Sequence, residues 1–86
     1  MSYTIKVDRL VVKAMKALDK PTARRIYERL KELSHDPNDI RISKPLKILP
    51  GQRSSRVGHW RIIYRVEEES QTIMITAVKP RGEAYK

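Results

Sequence analysis

Arg53, Arg56, Arg61 and Arg65 fall between Gly51 and Val66, a stretch that holds no acidic residue. Guanidinium groups gathered without opposing carboxylates suit a phosphodiester, which accepts paired N–H donors and develops extra negative charge when it is attacked. Lys44 and Lys47 precede this stretch, Lys79 and Arg81 follow it, and Tyr85 adds a phenol shortly after Arg81. The candidate chemistry is therefore anion binding by many cations, with one phenolic group near enough in sequence to exchange a proton. His35 and His59 lie far apart, each in a turn-forming stretch, so they read as surface residues and form no metal motif. Glu67-Glu68-Glu69 reads as a solubilising turn tip rather than a catalytic carboxylate pair. With no cysteine there is no disulfide framework, thiolate nucleophile or thiolate zinc site, and no nucleophile elbow supports a serine triad. No cofactor or metal is expected.

The chain that must position these groups has 86 residues, enough for one domain with a modest core and too few for two. Nineteen Lys plus Arg against ten Asp plus Glu give a net charge of +9, a balance that points to polyanionic partners, nucleic acid or an acidic protein. No apolar run approaches the roughly 20 residues of a membrane helix, and the start MSYTIKVD lacks a signal-peptide core, so the expectation is a soluble cytoplasmic protein with no membrane role.

Tyr3–Val7 alternates apolar and polar residues at the period of a half-buried strand. Asp8 can cap a helix with Val11, Met15 and Leu18 on one stripe, and Pro21 suits the first turn of a second helix with the stripe Ala23, Ile26, Leu30, Leu33. The turn formers His35-Asp36-Pro37-Asn38-Asp39 end that helix, and a loop runs from Ile40 to Pro50, pinned to the body by Leu46 and Ile48. Arg53–Val57, Trp60–Val66 and Thr72–Val78 then read as strands. The predicted order is βααβββ, an α+β fold with an antiparallel sheet packed against an N-terminal helical hairpin.

Gly58-His59 fits a two-residue hairpin turn, which pairs Val57 with Trp60 and sets Arg56 opposite Arg61. Arg65 follows on the same face, whereas Ser55, Ile62 and Tyr64 join Val57 and Trp60 on the face toward the helices. Like charges directly across strands are destabilising, so their placement here argues that an anion is meant to lie between them. Trp60 reads as a packing residue rather than a base-stacking platform. A short acidic turn makes the last strand antiparallel to its predecessor, which brings Arg81 toward Arg56 and Arg61, with Tyr85 following.

The run Arg56-Val57-Gly58-His59-Trp60-Arg61-Ile62-Ile63-Tyr64-Arg65-Val66 resembles the strand hairpin of the RelE/ParE superfamily of toxins of type II toxin-antitoxin systems, which reads roughly R-V-G-x-[YW]-R-[IVL]-[IVL]-Y. Lys44-Pro45-Leu46 precedes it at the expected place, and Arg81-Gly82-Glu83-Ala84-Tyr85 resembles the superfamily's terminal R-x-x-x-Y, so the likeness spans nearly the whole chain.

The resemblance implies a compact βααβββ domain and a RelE-type mRNA interferase. Such an enzyme is a metal-independent, ribosome-dependent endoribonuclease that cuts messenger RNA and inhibits translation. Arg61, Arg81 and Tyr85 match its catalytic set; Arg53, Arg56, Arg65, Lys44, Lys47 and Lys79 are the accompanying candidates for binding RNA phosphates. Two departures stand out: Gln52 and Ser54 occupy positions that are often basic, and Pro80 stands where close relatives carry a histidine before the post-strand arginine. The implied partners are an acidic cognate antitoxin, the ribosome and messenger RNA, with operator DNA bound only through the antitoxin. The alternatives are a ParE-type inhibitor of DNA gyrase and a relative that binds RNA or ribosomes without cutting.

Overall fold

Local capping explains where each helix starts. In a computed structural model of the chain, which describes residues 2–80, the elements run β1 (Thr4–Val7), α1 (Arg9–Lys16), α2 (Lys20–His35), β2 (Lys44–Pro45), β3 (Gln52–Val57), β4 (Trp60–Glu67) and β5 (Thr72–Pro80). The Asp8 carboxylate accepts the Leu10 backbone N–H at 2.8 Å, and Asp19 accepts that of Thr22 at 3.1 Å, so each satisfies one orphan donor of a first turn. Lys13 and Lys16 lie in the last turn of α1, where cations complement the helix dipole. α2 stops at His35, one residue before the Asp36-Pro37 step.

The sheet order is β1-β5-β4-β3-β2. β2, β3, β4 and β5 pair antiparallel with their neighbours, whereas β1 pairs parallel with β5, from Thr4 opposite Thr72 to Val7 opposite Ile75. The sheet is thus mixed rather than wholly antiparallel, and it gains the two-residue strand Lys44–Pro45. Alternation marks Tyr3–Val7 as a strand but carries no information about its partner or direction. Those are set when the helical hairpin returns the chain over the sheet.

Val11 and Met15 of α1 and Ile26, Leu30 and Leu33 of α2 pack with Val57, Ile62, Tyr64, Ile73, Ile75 and Val78 in the main core. Ile26 and Leu33 are fully buried, each contributing about 1.5–3 kcal/mol relative to exposure. Trp60 packs against this core. The opposite sheet face is not purely cationic. Leu46 folds over it and, with Ile63 and Ala77, forms a second small apolar cluster that leaves Ile63 buried. Leu46 is therefore an anchor of the long loop as expected, but Ile48 is 57% exposed and pins nothing.

The β3–β4 hairpin has the predicted register, Val57 opposite Trp60 and Arg56 opposite Arg61. Gly58 opens its turn at φ +59°, a conformation that a residue with a Cβ adopts only under strain. On β5 the pairing shifts between Ile63–Ala77 and Tyr64–Ile75, which leaves Thr76 as the extra residue of a bulge. Its hydroxyl lies 2.8 Å from Gln52 Oε1 and 3.1 Å from the Ile63 carbonyl oxygen. Gln52 thus locks β3 to β5 across the intervening strand.

Candidate functional site

The hairpin register carries Arg56 and Arg61 onto one face, and the loop after α2 raises a wall beside them. Between wall and sheet lies a cleft of about 270 Å³ lined by Arg29 of α2, Ile40, Arg41, Ile42, Ser43 and Lys44 of the wall, Ser54 and Arg56 of β3, and Arg61 of β4. Five of these nine side chains are cationic and none is acidic. Arg61 is only 8% exposed, whereas Arg56 reaches solvent and its Nε donates to the Gly58 carbonyl at 3.4 Å. A guanidinium with little water around it attracts an anion more strongly than one in bulk solvent.

Arg29 and Arg41 join the cleft without having been expected from sequence. Arg29 crosses from α2 to the sheet, where Nη1 donates to Ser55 Oγ at 2.9 Å and to the Arg56 carbonyl at 2.8 Å, and its Nε is paired with Glu32 at 3.2 Å. Its place between Ile26 and Leu30 on the helix, next to the apolar stripe, is the one signal that could have revealed it. Arg41 is oriented by Asp39, whose carboxylate accepts its Nε at 3.1 Å and its Nη2 at 2.7 Å. The guanidinium's hydrogen bonds hold the Asp39 carboxyl down to about 2. The pairing in turn raises the pKa of Arg41.

Of the residues expected from sequence, Arg56, Arg61 and Lys44 share the cleft. Lys79 stands beside Arg61 in the β4–β5 register. Arg65 lies outside the cleft, farther along β4 opposite Gln52, with its Nε 3.4 Å from Glu67. Lys47 flanks a separate shallow depression with Lys44, Pro45, Leu46 and Ile48. Arg53 belongs to the other face. It shares strand parity with Ser55 and Val57, and its Nε donates to Ser43 Oγ at 2.8 Å, so it braces the wall from behind instead of entering the cleft. Arg81 and Tyr85 lie outside the described residues. Pro80 pairs with Trp60 and Lys79 with Arg61, so β5 runs antiparallel up to the cationic end of the hairpin as expected.

Neither histidine lines the cleft; His59 is in the hairpin turn, and His35 Nδ1 is 3.4 Å from Ser2 Oγ. Among the described residues no three His, Cys, Asp or Glu side chains come together in a way that could hold a metal ion. Nor is any described helix long and apolar enough to cross a membrane. The cleft supplies positive charge and N–H donors, which can hold and neutralise a phosphate but cannot take a proton from a neutral hydroxyl.

The family model for the ParE toxin of type II toxin-antitoxin systems matches residues 5–85. The chain belongs to the RelE/ParE superfamily of type II toxins. Toxin RelG of Mycobacterium tuberculosis is 38% identical to it over 56 residues, 64% of this chain and 62% of that protein, so the match spans less than two thirds of the relative's length. In the archaeal RelE-RelB complex from Pyrococcus horikoshii OT3, the similar chain superposes with a TM-score of 0.82 at 32% identity, covering 98% of this toxin and 100% of that chain. The toxin-antitoxin complex RelBE2 from Mycobacterium tuberculosis gives a TM-score of 0.81 at 27% identity, over 94% and 100% of the two chains. The α+β fold of the toxin, two helices on a five-stranded mixed sheet, is the fold of these structures.

Proposed function

We propose that this toxin cleaves messenger RNA on the ribosome, promoting attack of a ribose 2′-hydroxyl on the adjacent phosphate. The observation that carries the reading is the convergence of Arg56 and Arg61, from paired positions of two strands, in a cleft where none of the described lining residues is a carboxylate. In the reaction the 2′-oxygen gives up its proton and bonds to phosphorus. The P–O5′ bond breaks, leaving a 2′,3′-cyclic phosphate and a 5′-hydroxyl once the departing oxygen is protonated. Arg61, helped by Arg56, holds the phosphate and stabilises the charge it gains; Lys44 and Arg41 engage the flanking backbone.

In this reading Arg81 stabilises the charge on the departing 5′-oxygen and Tyr85 takes the 2′-proton. Neighbouring guanidinium groups favour a phenolate, which makes a tyrosine serviceable as a base. The ribosome supplies alignment of the message, the step that a cleft of cations alone does least well. A cognate antitoxin, acidic enough to cover a +9 surface, is the silencing partner, a reading supported by the RelE-RelB complexes that share the fold. Operator DNA is reached through that antitoxin, and the cytoplasm is where message and ribosome are met.

The test is a translation reaction in which message 5′ ends are mapped for wild type, Arg61→Ala, Arg81→Ala and Tyr85→Phe. Cuts within codons engaged by the ribosome that disappear in Arg61→Ala support the nuclease; equal cutting by all four proteins overturns the assignments. The match to a ParE family model favours a second reading, a gyrase inhibitor without hydrolytic chemistry. Double-strand DNA breaks on induction, with messages intact, would select it.

A further inference from the structure

The cleft wall has almost no regular secondary structure, yet its residues must be held at a fixed distance from the sheet. Two successive turns build it, with the Asp39 backbone N–H bonded to the Asp36 carbonyl at 3.2 Å and that of Ile42 to the Asp39 carbonyl at 3.1 Å. Turns alone do not fix how such a segment sits on the body.

A buried chain of hydrogen bonds does. Tyr64 is fully buried in the middle of β4, and its hydroxyl donates to the Pro37 carbonyl at 2.6 Å. The same hydroxyl is bonded to Ser43 Oγ. A phenol has one proton, and here it is committed to Pro37, so Ser43 must donate to the phenolic oxygen. The Ser43 oxygen then accepts Arg53 Nε at 2.8 Å. The bonds run in one direction, Arg53 to Ser43 to Tyr64 to Pro37, with each hydroxyl both donating and accepting. One phenol thus grips the two ends of the segment 37–43, and Lys44 follows directly as part of the cleft lining. Burial raises the pKa of Tyr64, so it remains a neutral phenol and keeps the proton it donates.

We propose that Tyr64 and Ser43 are positioning residues for nucleic-acid binding, holding the Ile40–Lys44 wall where Arg41 and Lys44 share one cleft with Arg56 and Arg61. The assignment rests on reading that cleft as the RNA site. Arg53, expected from sequence to touch phosphate, works here through the wall as the charged donor that starts the chain.

The test compares wild type with Tyr64→Phe, Ser43→Ala and Ser43→Thr. Tyr64→Phe keeps the ring in the core and removes both grips; Ser43→Ala, at a buried serine that is not part of the apolar cluster, removes the bonds to Tyr64 and Arg53 and leaves the Tyr64–Pro37 grip, which keeps the test decisive if the first variant does not fold. The probe is a short RNA with a 2′-O-methyl group on every ribose, so that it binds without being cut. Circular dichroism checks the folding of each protein. Tyr64→Phe and Ser43→Ala are expected to weaken binding of the probe on the order of tenfold and to speed amide exchange of Arg41–Lys44 by a similar factor. Ser43→Thr, which restores the hydroxyl, returns both to wild-type values. In ribosomal cleavage the same two variants raise KM and leave kcat unchanged, because the groups that act on the phosphate are untouched. Unchanged binding by folded Ser43→Ala, a loss that Ser43→Thr does not restore, or no binding by wild type overturns the assignment. A wild-type protein that binds the probe in this pattern but leaves messages intact overturns the nuclease reading alone.

Discussion

Arg56 and Arg61 stand directly opposite each other on β3 and β4, two cations on one face of a tight hairpin. Like charges in this position cost the fold about 0.2–1 kcal/mol, and the near-burial of Arg61 limits what water can screen. The pair therefore predicts opposed effects on stability and activity. Arg56→Gln should show an equal or higher unfolding free energy in urea denaturation, by up to about 1 kcal/mol, while cleavage of ribosome-bound message falls. A variant that is both less stable and fully active would show that no repulsion is stored there.

The hairpin turn predicts a backbone effect. A Cβ at Gly58 would lie 3.2 Å from Arg25 Nη2 and 3.3 Å from Nη1, and the residue sits at φ +59°. Gly51 has φ +83° with nothing within 4 Å, so it isolates the backbone cost. Gly51→Ala should lose about 1–2 kcal/mol from the left-handed conformation alone, and Gly58→Ala somewhat more. Removing Arg25 should bring the cost at Gly58 down to that at Gly51. Urea denaturation of the two single variants and of Gly58→Ala in an Arg25→Ala background checks the arithmetic.

Acid should loosen the cleft wall in a defined window. Hydrogen bonds from the Arg41 guanidinium, then from its backbone N–H, lower the Asp39 pKa from 3.8 to about 2. A carboxylate depressed in the folded state contributes stability that is fully present above its unfolded value and is lost as pH falls through the folded one. The stability difference between wild type and Asp39→Asn should accordingly be constant above about pH 5 and fade between about pH 4 and pH 2. Because the Arg41 partner is exposed to solvent, that difference should also shrink as salt is added. A difference independent of pH would mean that the Asp39–Arg41 pair does not hold the wall.

Much of the site was legible because strands count by twos. A two-residue turn at Gly58-His59 leaves no freedom in register, so the Arg56–Arg61 pairing follows from the sequence alone. The same parity places Arg53 with Ser55 and Val57, away from the cleft, although its charge invites assignment to phosphate. Ile63 was hidden in a different way: it occupies the outward face by parity and is buried because Leu46 returns over it from a distant loop. Arg29 and Arg41 belong to the cleft through packing of α2 and the wall against the sheet, contacts that local periodicity does not encode. The parallel pairing of β1 with β5 is long-range for the same reason.

Arg29 is where helix, sheet and cleft meet, and it yields the last prediction. Its Nη1 bonds both the Ser55 hydroxyl, which is 1% exposed, and the Arg56 carbonyl, so a single guanidinium fixes α2 against the strand that presents Arg56. Arg29→Ala strands a buried hydroxyl and should cost about 1–3 kcal/mol in urea denaturation. Arg29→Lys keeps the charge but is a point donor that cannot reproduce the planar fork. If Arg29 serves only as a cation for RNA, lysine should restore both stability and cleavage. If it sets the position of Arg56, lysine should leave the stability loss in place and restore cleavage only in part. Adding Ser55→Ala separates the two bonds: the cost of Arg29→Ala should fall in that background, because the hydroxyl that would be stranded is already gone.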